Sequence, residues 1–363
     1  MITMTPNKQK KENVTIKDVA KKAGVAPSTA SMALNNKPEI SSETKKIVLQ
    51  AAQDLGYHPT AAARALVDGK PSNLGLLIPV KVDNLFFSTG FFQKLISGMS
   101  KAAKEGDNTL TLQVVETREE TAEQITKAFR TKNVSGSIIT HPTMEMPYLD
   151  VIEKFDYPVV FLGKPPRNFP YVDNDNPEVA RIATEHLIKH GHERIGFLGG
   201  PTDLIATQTR KEGYRAALKE AGITIDPELI WHSQHTEQSA YREVVKQSKE
   251  LNFSAICISV EEQMAGVYRA LRDLELEIPE DVALVTIGDS QLARHINPSM
   301  TVLDLHTEKL GYLAAKKLSR LIEGKDEKRE QIVESNLIRR CSCGCKQSQG
   351  GDTAGEKLNC DKT

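Results

Sequence analysis

Residues 15–35, TIKDVAKKAGVAPSTASMALN, spell two short helices joined by a tight turn. Thr15 and Asp18, three apart, make the pairing of a capping box. Ile16, Val19, Ala20 and Ala23 recur at helical spacing, and Gly24 ends the helix where a positive φ is wanted. The second helix opens at Pro27, whose missing N–H costs nothing in a first turn. On it Ala30, Ala33 and Leu34 share one face, while Ser28, Ser31 and Met32 share the other. Small inward residues let two helices cross closely, and the outer face is left to enter a major groove. A third helix starts at Ser41, buries Val48, Ala51, Ala52 and Leu55, and stops at Gly56. Together they predict a helix-turn-helix unit over residues 14–59.

On either side of this unit the chain changes character. Residues 1–13 read as a disordered polar tail. Residues 60–71 begin TAAARALVDG, a helix of about ten residues that is too short to stand alone in water. Between Lys8 and Lys70 eleven bases face six acids, so this stretch is +5 and the rest of a chain of net charge −1 is −6. A basic head on an acidic body suits a polyanion at the head alone. From Leu74 short apolar runs (LGLLIP, LTLQVV, GSIIT, YPVVFLG, RIGFLGG, SAICIS, DVALVTIG) alternate with amphipathic helices. That alternation predicts parallel sheets covered by helices on both faces. About 265 residues exceed what one core serves, so residues 72–338 are expected to form two α/β lobes, with crossovers near 172, 300 and 330. Ligands of such sheets sit at the carboxyl ends of the strands. Residues 339–363, rich in Cys, Gly, Ser and charge, read as a second disordered tail.

Composition narrows the function. The chain has 363 residues, 39% hydrophobic and 26% charged, the balance of a globular protein with a sizeable core. No apolar run nears the roughly 20 residues that cross a bilayer. The polar start MITMTPNKQKKEN is no secretory signal, and five cysteines are no disulfide framework. A cytoplasmic protein without membrane contact is expected. No G-x-S-x-G, P-loop or H-E-x-x-H occurs, so no enzyme and no cofactor is expected. A zinc site on Cys341, Cys343, Cys345 and Cys360 would need one-residue gaps in place of the usual C-x2–4-C, so no metal is assigned.

The head resembles that of the LacI/GalR family of bacterial regulators, with Val14, Thr15, Ile16, Asp18, Val19, Ala20, Ala23, Gly24, Val25, Thr29, Ser31, Leu34 and Asn35 in register. The stretch TKKIVLQAAQDLGYHPTAAARAL, from Thr44, continues the match, which extends through the body. The fold implied is an all-α helix-turn-helix head with a two-lobed body like a periplasmic binding protein. The function implied is a homodimeric repressor of sugar-utilisation genes, binding a pseudopalindromic double-stranded operator and controlled by a small sugar. The resemblance places Thr15, Ile16, Lys17, Pro27, Ser28, Thr29, Ser31, Met32, Asn35, Thr44 and Tyr57 at DNA. Ala63 and Leu66 of the hinge are placed in the minor groove, Leu66 as an apolar wedge, unless it packs as a linker residue on the body. Two departures stand out. Ala26 replaces the usual capping Ser, and Met32 replaces an Arg able to hold guanine bidentately.

For the effector the resemblance implies Phe91, Phe92, Lys164, Asp173, Asp175, Arg210, Glu261 and Asp289. Arg210 precedes the Gly213-Tyr214 pair in RKEGYRAAL. The loop VDNDN at 172–176 is similar to that of family members controlling maltose and α-glucoside genes, which makes maltose or a maltodextrin the expected effector. Asp175 or Asn176 could equally cap the following helix, and Phe91 or Phe92 could be core. Two other functions remain open. One is a global regulator of the same family with a phosphorylated carrier protein as co-repressor. The other is a sugar-transport receptor, which the head and the missing signal peptide disfavour.

Overall fold

The computed structural model describes residues 14–34, 37–57, 73–79, 90–115, 117–131, 133–250, 252–325 and 328–345. They belong to two compact units, one ending at Ser72 and one starting at Asn73. The tail 1–13, Asn35, the 60–71 hinge with Ala63 and Leu66, and residues 346–363 lie outside the described residues.

The first unit is three helices, α1 (Ile16–Ala23), α2 (Pro27–Leu34) and α3 (Ser42–Leu55). The Asp18 carboxylate accepts the Thr15 N–H (2.8 Å) and hydroxyl (2.7 Å), fixing the start of α1. Gly24 and Gly56 end α1 and α3 with φ of 67° and 62°, a conformation other residues adopt only under strain. Val19, Ala20, Ala30, Ala33, Val48, Ala51 and Ala52 form the core.

The second unit is built on two six-stranded sheets. The first contains β1 (Asn73–Pro79), β2 (Thr109–Val115), β3 (Gly136–Thr140), β4 (Val159–Leu162), β5 (Tyr171–Asp173) and β11 (Glu330–Ile332), ordered β11-β5-β4-β3-β1-β2 and parallel throughout. The second contains β6 (Ile195–Gly199), β7 (Ile230–His232), β8 (Ala255–Ile258), β9 (Ala283–Ile287), β10 (Thr301–Asp304) and β12 (Asn336–Ile338), ordered β12-β10-β9-β8-β6-β7, with only β12 antiparallel. Helices α4 (Gly90–Glu105), α5 (Arg118–Thr131) and α6 (Leu149–Phe155) flank the first sheet together with α12 (Thr307–Ile322). Helices α7 (Asn176–Lys189), α8 (Ile205–Glu220), α9 (Glu237–Gln247) and α10 (Met264–Asp273) flank the second, and α11 (Gln291–His295) follows β9. One core runs through both lobes, from Leu76 and Ile138 to Phe197 and Val285. Each lobe closes a further core on its outer face. At the α7–α8 crossing a Cβ on Gly213 would lie 1.9 Å from the Pro177 carbonyl, so only glycine fits.

The chain passes between the sheets after β5, after β10 and after β11. Asn174 ties the three passages together. Its side-chain amide donates to the carbonyls of Leu305 (3.1 Å) and Val333 (2.8 Å), which belong to the other two crossings.

The expectation of a tail from residue 339 is corrected for residues 339–345. Arg340, Ser342 and Cys343 are buried against the second lobe. Arg340 donates to Asp289 and to the Met300 carbonyl, both at 2.8 Å. The Ser342 hydroxyl donates to the Leu284 carbonyl and accepts the Thr301 N–H. Polar composition suggests disorder, but Arg340 and Ser342 each have specific buried partners, which composition does not reveal.

Asn174→Ala strands two buried carbonyls, at about 1–3 kcal/mol each. Urea unfolding of the variant should show that loss. A midpoint equal to wild type would mean that the crossings hold without Asn174.

Candidate functional site

On the head, α2 presents the division its sequence suggests. Ala30 and Ala33 are buried, Pro27 and Ser28 are exposed, and Thr29, Ser31 and Met32 are half-buried. Thr15 and Lys17 are exposed at the start of α1, and Thr44 is half-buried near the start of α3. Ile16 and Tyr57 pack against the head's core.

In the body a cleft lies where strand ends from both sheets converge. Thr140-His141, Leu162-Gly163, Asp173, Ser259 and Ile287-Gly288 all line it, each at the carboxyl end of a strand. The cleft holds a cavity of about 120 Å³, partly open at its mouth. Leu204, Leu305 and Leu310 supply apolar wall. The lobes touch across it. The Glu261 carboxylate accepts the Phe91 N–H (2.7 Å), Lys94 donates to the Asp289 carbonyl (2.6 Å), and the Ile205 N–H reaches the Pro142 carbonyl (3.1 Å).

Arg210, on α8, is the cleft's fixed cation. Its Nε donates to the Asn176 side chain (2.8 Å), and an Nη donates to the Ser259 carbonyl. Two of five donors are thus committed, leaving the others for a ligand. Asn176 in turn donates to Asp173 (3.0 Å), which also accepts the N–H groups of Lys164 (3.0 Å) and Asn174 (2.8 Å). Burial raises the Asp173 pKa, opposed by those N–H groups and by Arg210. Burial lowers that of Arg210, opposed by Asp173 and Glu262. Burial and neighbouring Glu262 push Glu261 up to about 8.

The structure brings together Phe91, Asp173, Arg210 and Glu261. The other four expected effector residues lie elsewhere. Phe92 is buried in the core, one residue round the helix from Phe91. The Lys164 side chain is exposed, and only its N–H serves the site. Asp175 is exposed and caps α7 by accepting the Glu178 N–H (3.1 Å). Asp289 faces Arg340 (2.8 Å) and Arg294 (2.6 Å), which hold it below the usual carboxylate range although burial alone would raise it. Sequence reasoning missed His141, His235, Asn176 as a partner of Arg210, and Ser259. His141 and Ser259 directly follow strands β3 and β8, so the carboxyl-end rule would have flagged them. His235 lies in a loop with no local signal.

Comparison with known proteins agrees with this architecture. Residues 15–60 match bacterial regulatory proteins of the lacI family, and residues 184–343 match the periplasmic binding protein-like domain. The chain is 32% identical over 331 residues to the HTH-type transcriptional regulator MalR of Streptococcus pneumoniae, covering 90% of this chain and 97% of that one. It is 30% identical over 340 residues to the regulator CelR of Thermobifida fusca, covering 92% and 99%. Among solved structures it is similar to a CelR–cellobiose complex (TM-score 0.69, 28% identity, 91% and 99% covered). It also shares the fold of a lac repressor dimer bound to operator and the anti-inducer ONPF (TM-score 0.81, 21% identity, 92% and 99% covered).

The cleft histidines make stability depend on pH. Burial depresses His141 to about 4 and His235 to about 3, and His235 Nε2 is buried without a hydrogen-bond partner among the described residues. Below about pH 6.5 the unfolded chain protonates these rings while the folded cleft does not, so stability falls as pH drops. Glu261 acts with the opposite sign, so the difference between two proteins isolates one group. Wild type should lose more stability than His235→Gln between pH 7 and pH 5. Parallel profiles would place His235 outside the account.

Proposed function

Because this chain belongs to the LacI family of bacterial regulatory proteins, and so is a transcriptional regulator, we propose that it represses sugar-utilisation genes as a homodimer on a pseudopalindromic operator. A small sugar of the maltose or maltodextrin class, bound in the cleft, controls that repression. The observation that carries the effector reading is Arg210, held by Asn176 and Ser259 at the converging strand ends with donors to spare. Its planar fork suits neighbouring sugar oxygens.

The polar groups of the cleft suit a neutral ligand. Asp173, Glu261 and Glu262 bring three carboxyls, each with its pKa raised by burial, beside one guanidinium. A neutral polyol finds donors and acceptors in both senses. Phe91 offers a ring face for stacking on a pyranose. The relative solved with cellobiose supports a disaccharide of glucose.

On the head, Thr15, Ile16, Lys17, Thr29, Thr44 and Tyr57 position the phosphate backbone, and Pro27, Ser28, Ser31 and Met32 face the bases. Asn35, Ala63 and Leu66 complete the contact from the segments that follow. Two-fold symmetry doubles a readout too short in one head, and binding weakens with salt as lysines displace counterions.

Two variants test this reading. Met32→Arg should redirect base preference at one position by about 1–3 kcal/mol while leaving affinity for random DNA nearly unchanged. Identical operators selected by both proteins would remove Met32 from the bases. Arg210→Ala should cost roughly 1.5–3 kcal/mol of effector binding, about ten- to hundredfold in the maltose needed to alter operator affinity. A variant that responds at the wild-type concentration would show that the cleft is not the sensor.

A further inference from the structure

The C-terminal turn meets α7 at three potential metal ligands from two elements distant in sequence. His186 lies in the last turns of α7, and Cys343 and Cys345 flank Gly344 just after β12. His186 Nε2 is 3.2 Å from the Cys345 sulfur, and the three donor atoms lie within 4.8 Å of one another. A tetrahedral zinc ion with bonds of about 2.0–2.3 Å sets its donors roughly 3.5–3.8 Å apart, so only a small adjustment separates this cluster from a ligand sphere. Cys343 and Cys345 are joined as a disulfide with Cα atoms 5.5 Å apart.

We propose that His186, Cys343 and Cys345, once that disulfide is reduced, bind a divalent transition metal of zinc's class. Reduction takes two electrons and two protons from low-molecular-weight thiols. The S–S bond breaks, the reductant leaves as its own disulfide, and the two new thiols release their protons when the metal binds. A disulfide by itself has no use for an imidazole. Two thiolates and one imidazole are the donor set of zinc and its neighbours.

The surroundings hold the ligands in place. The His190 ring packs against His186 at a tilt of 51°, centroids 4.5 Å apart, and hydrogen-bonds the His186 carbonyl (2.7 Å), steadying the helix end that presents the ligand. Cys343 is fixed from behind by the Thr301 hydroxyl (3.1 Å). Gly344 is exposed and Cys345 half-buried, which gives an ion an entry path and leaves its fourth position to solvent. Arg340, three residues before Cys343, bonds Asp289, the neighbour of cleft residue Gly288. A bound ion would therefore clamp α7 to a segment that also braces the cleft.

The test uses the full chain, reduced with a phosphine, stripped with chelator under anaerobic conditions and titrated with Co(II), then Zn(II). Wild type should take up one cobalt per chain with a thiolate-to-cobalt charge-transfer band, which zinc abolishes. The oxidised protein should take up none. Cys343→Ser and Cys345→Ser should lose the band, and His186→Gln should weaken binding by about tenfold or more. Cys345→Ser and His186→Gln provide two readouts at different elements, and circular dichroism confirms the fold of each. No cobalt uptake by reduced wild type, equal uptake by the oxidised form, or a thiolate band surviving in the folded cysteine variants would overturn the site.

Discussion

The body depends on the side-chain amide of Asn174. Three passages of chain join the lobes, and in a two-lobed protein such passages are where rigidity or motion is decided. Asn174 lies in one passage and donates to carbonyls in the other two, at Leu305 and Val333. Its neighbours continue the junction into the cleft, since Asp173 accepts from Asn176 and Asn176 accepts from Arg210. The same short loop therefore ties the lobes together and positions the cleft's cation. A ligand that touches Arg210 acts directly on the junction, and it can shift the head's DNA binding only through its different affinity for two arrangements of that junction.

Burying this much polarity is costly unless every group has a partner. In the cleft floor the partners are supplied by backbone: Ser259 for Arg210, and the N–H groups of Lys164 and Asn174 for Asp173. Asp289 has Arg294 and Arg340 instead, and that pairing draws residues 339–345 into the fold. His235 Nε2 is an exception in the cleft, a buried polar atom without a hydrogen-bond partner among the described residues. A sugar hydroxyl would satisfy it.

What the sequence makes legible is local. The helices of the head follow from capping, glycine stops and spacing within twenty residues, and the alternation of apolar runs with helices marks the parallel sheets. Arg210 was reached by resemblance, because an arginine on an amphipathic helix says nothing by itself. The rest depends on partners far along the chain. Asn174 bonds residues 131 and 159 positions away. Asp173 and Asp175 are alike in sequence, yet only the strand end faces the cleft while the other caps a helix. Phe91 and Phe92 differ by one step of helical rotation. The segment from residue 339 reads as a tail because its partners, Asp289, Leu284 and Thr301, lie 39 to 58 residues back, in or beside strands that composition does not pair with it.

The central claim is that the cleft takes a neutral sugar at the junction of the lobes. Calorimetric titration of the full chain with maltose and with its 6-phosphate tests it most directly. The account predicts one neutral sugar bound per chain and a phosphorylated form that binds much more weakly, because desolvating a phosphate in the buried cleft is costly and the guanidinium of Arg210 already faces Asp173 and Glu262. Tighter binding of the phosphate, or no heat from either sugar or from longer maltodextrins, would contradict it.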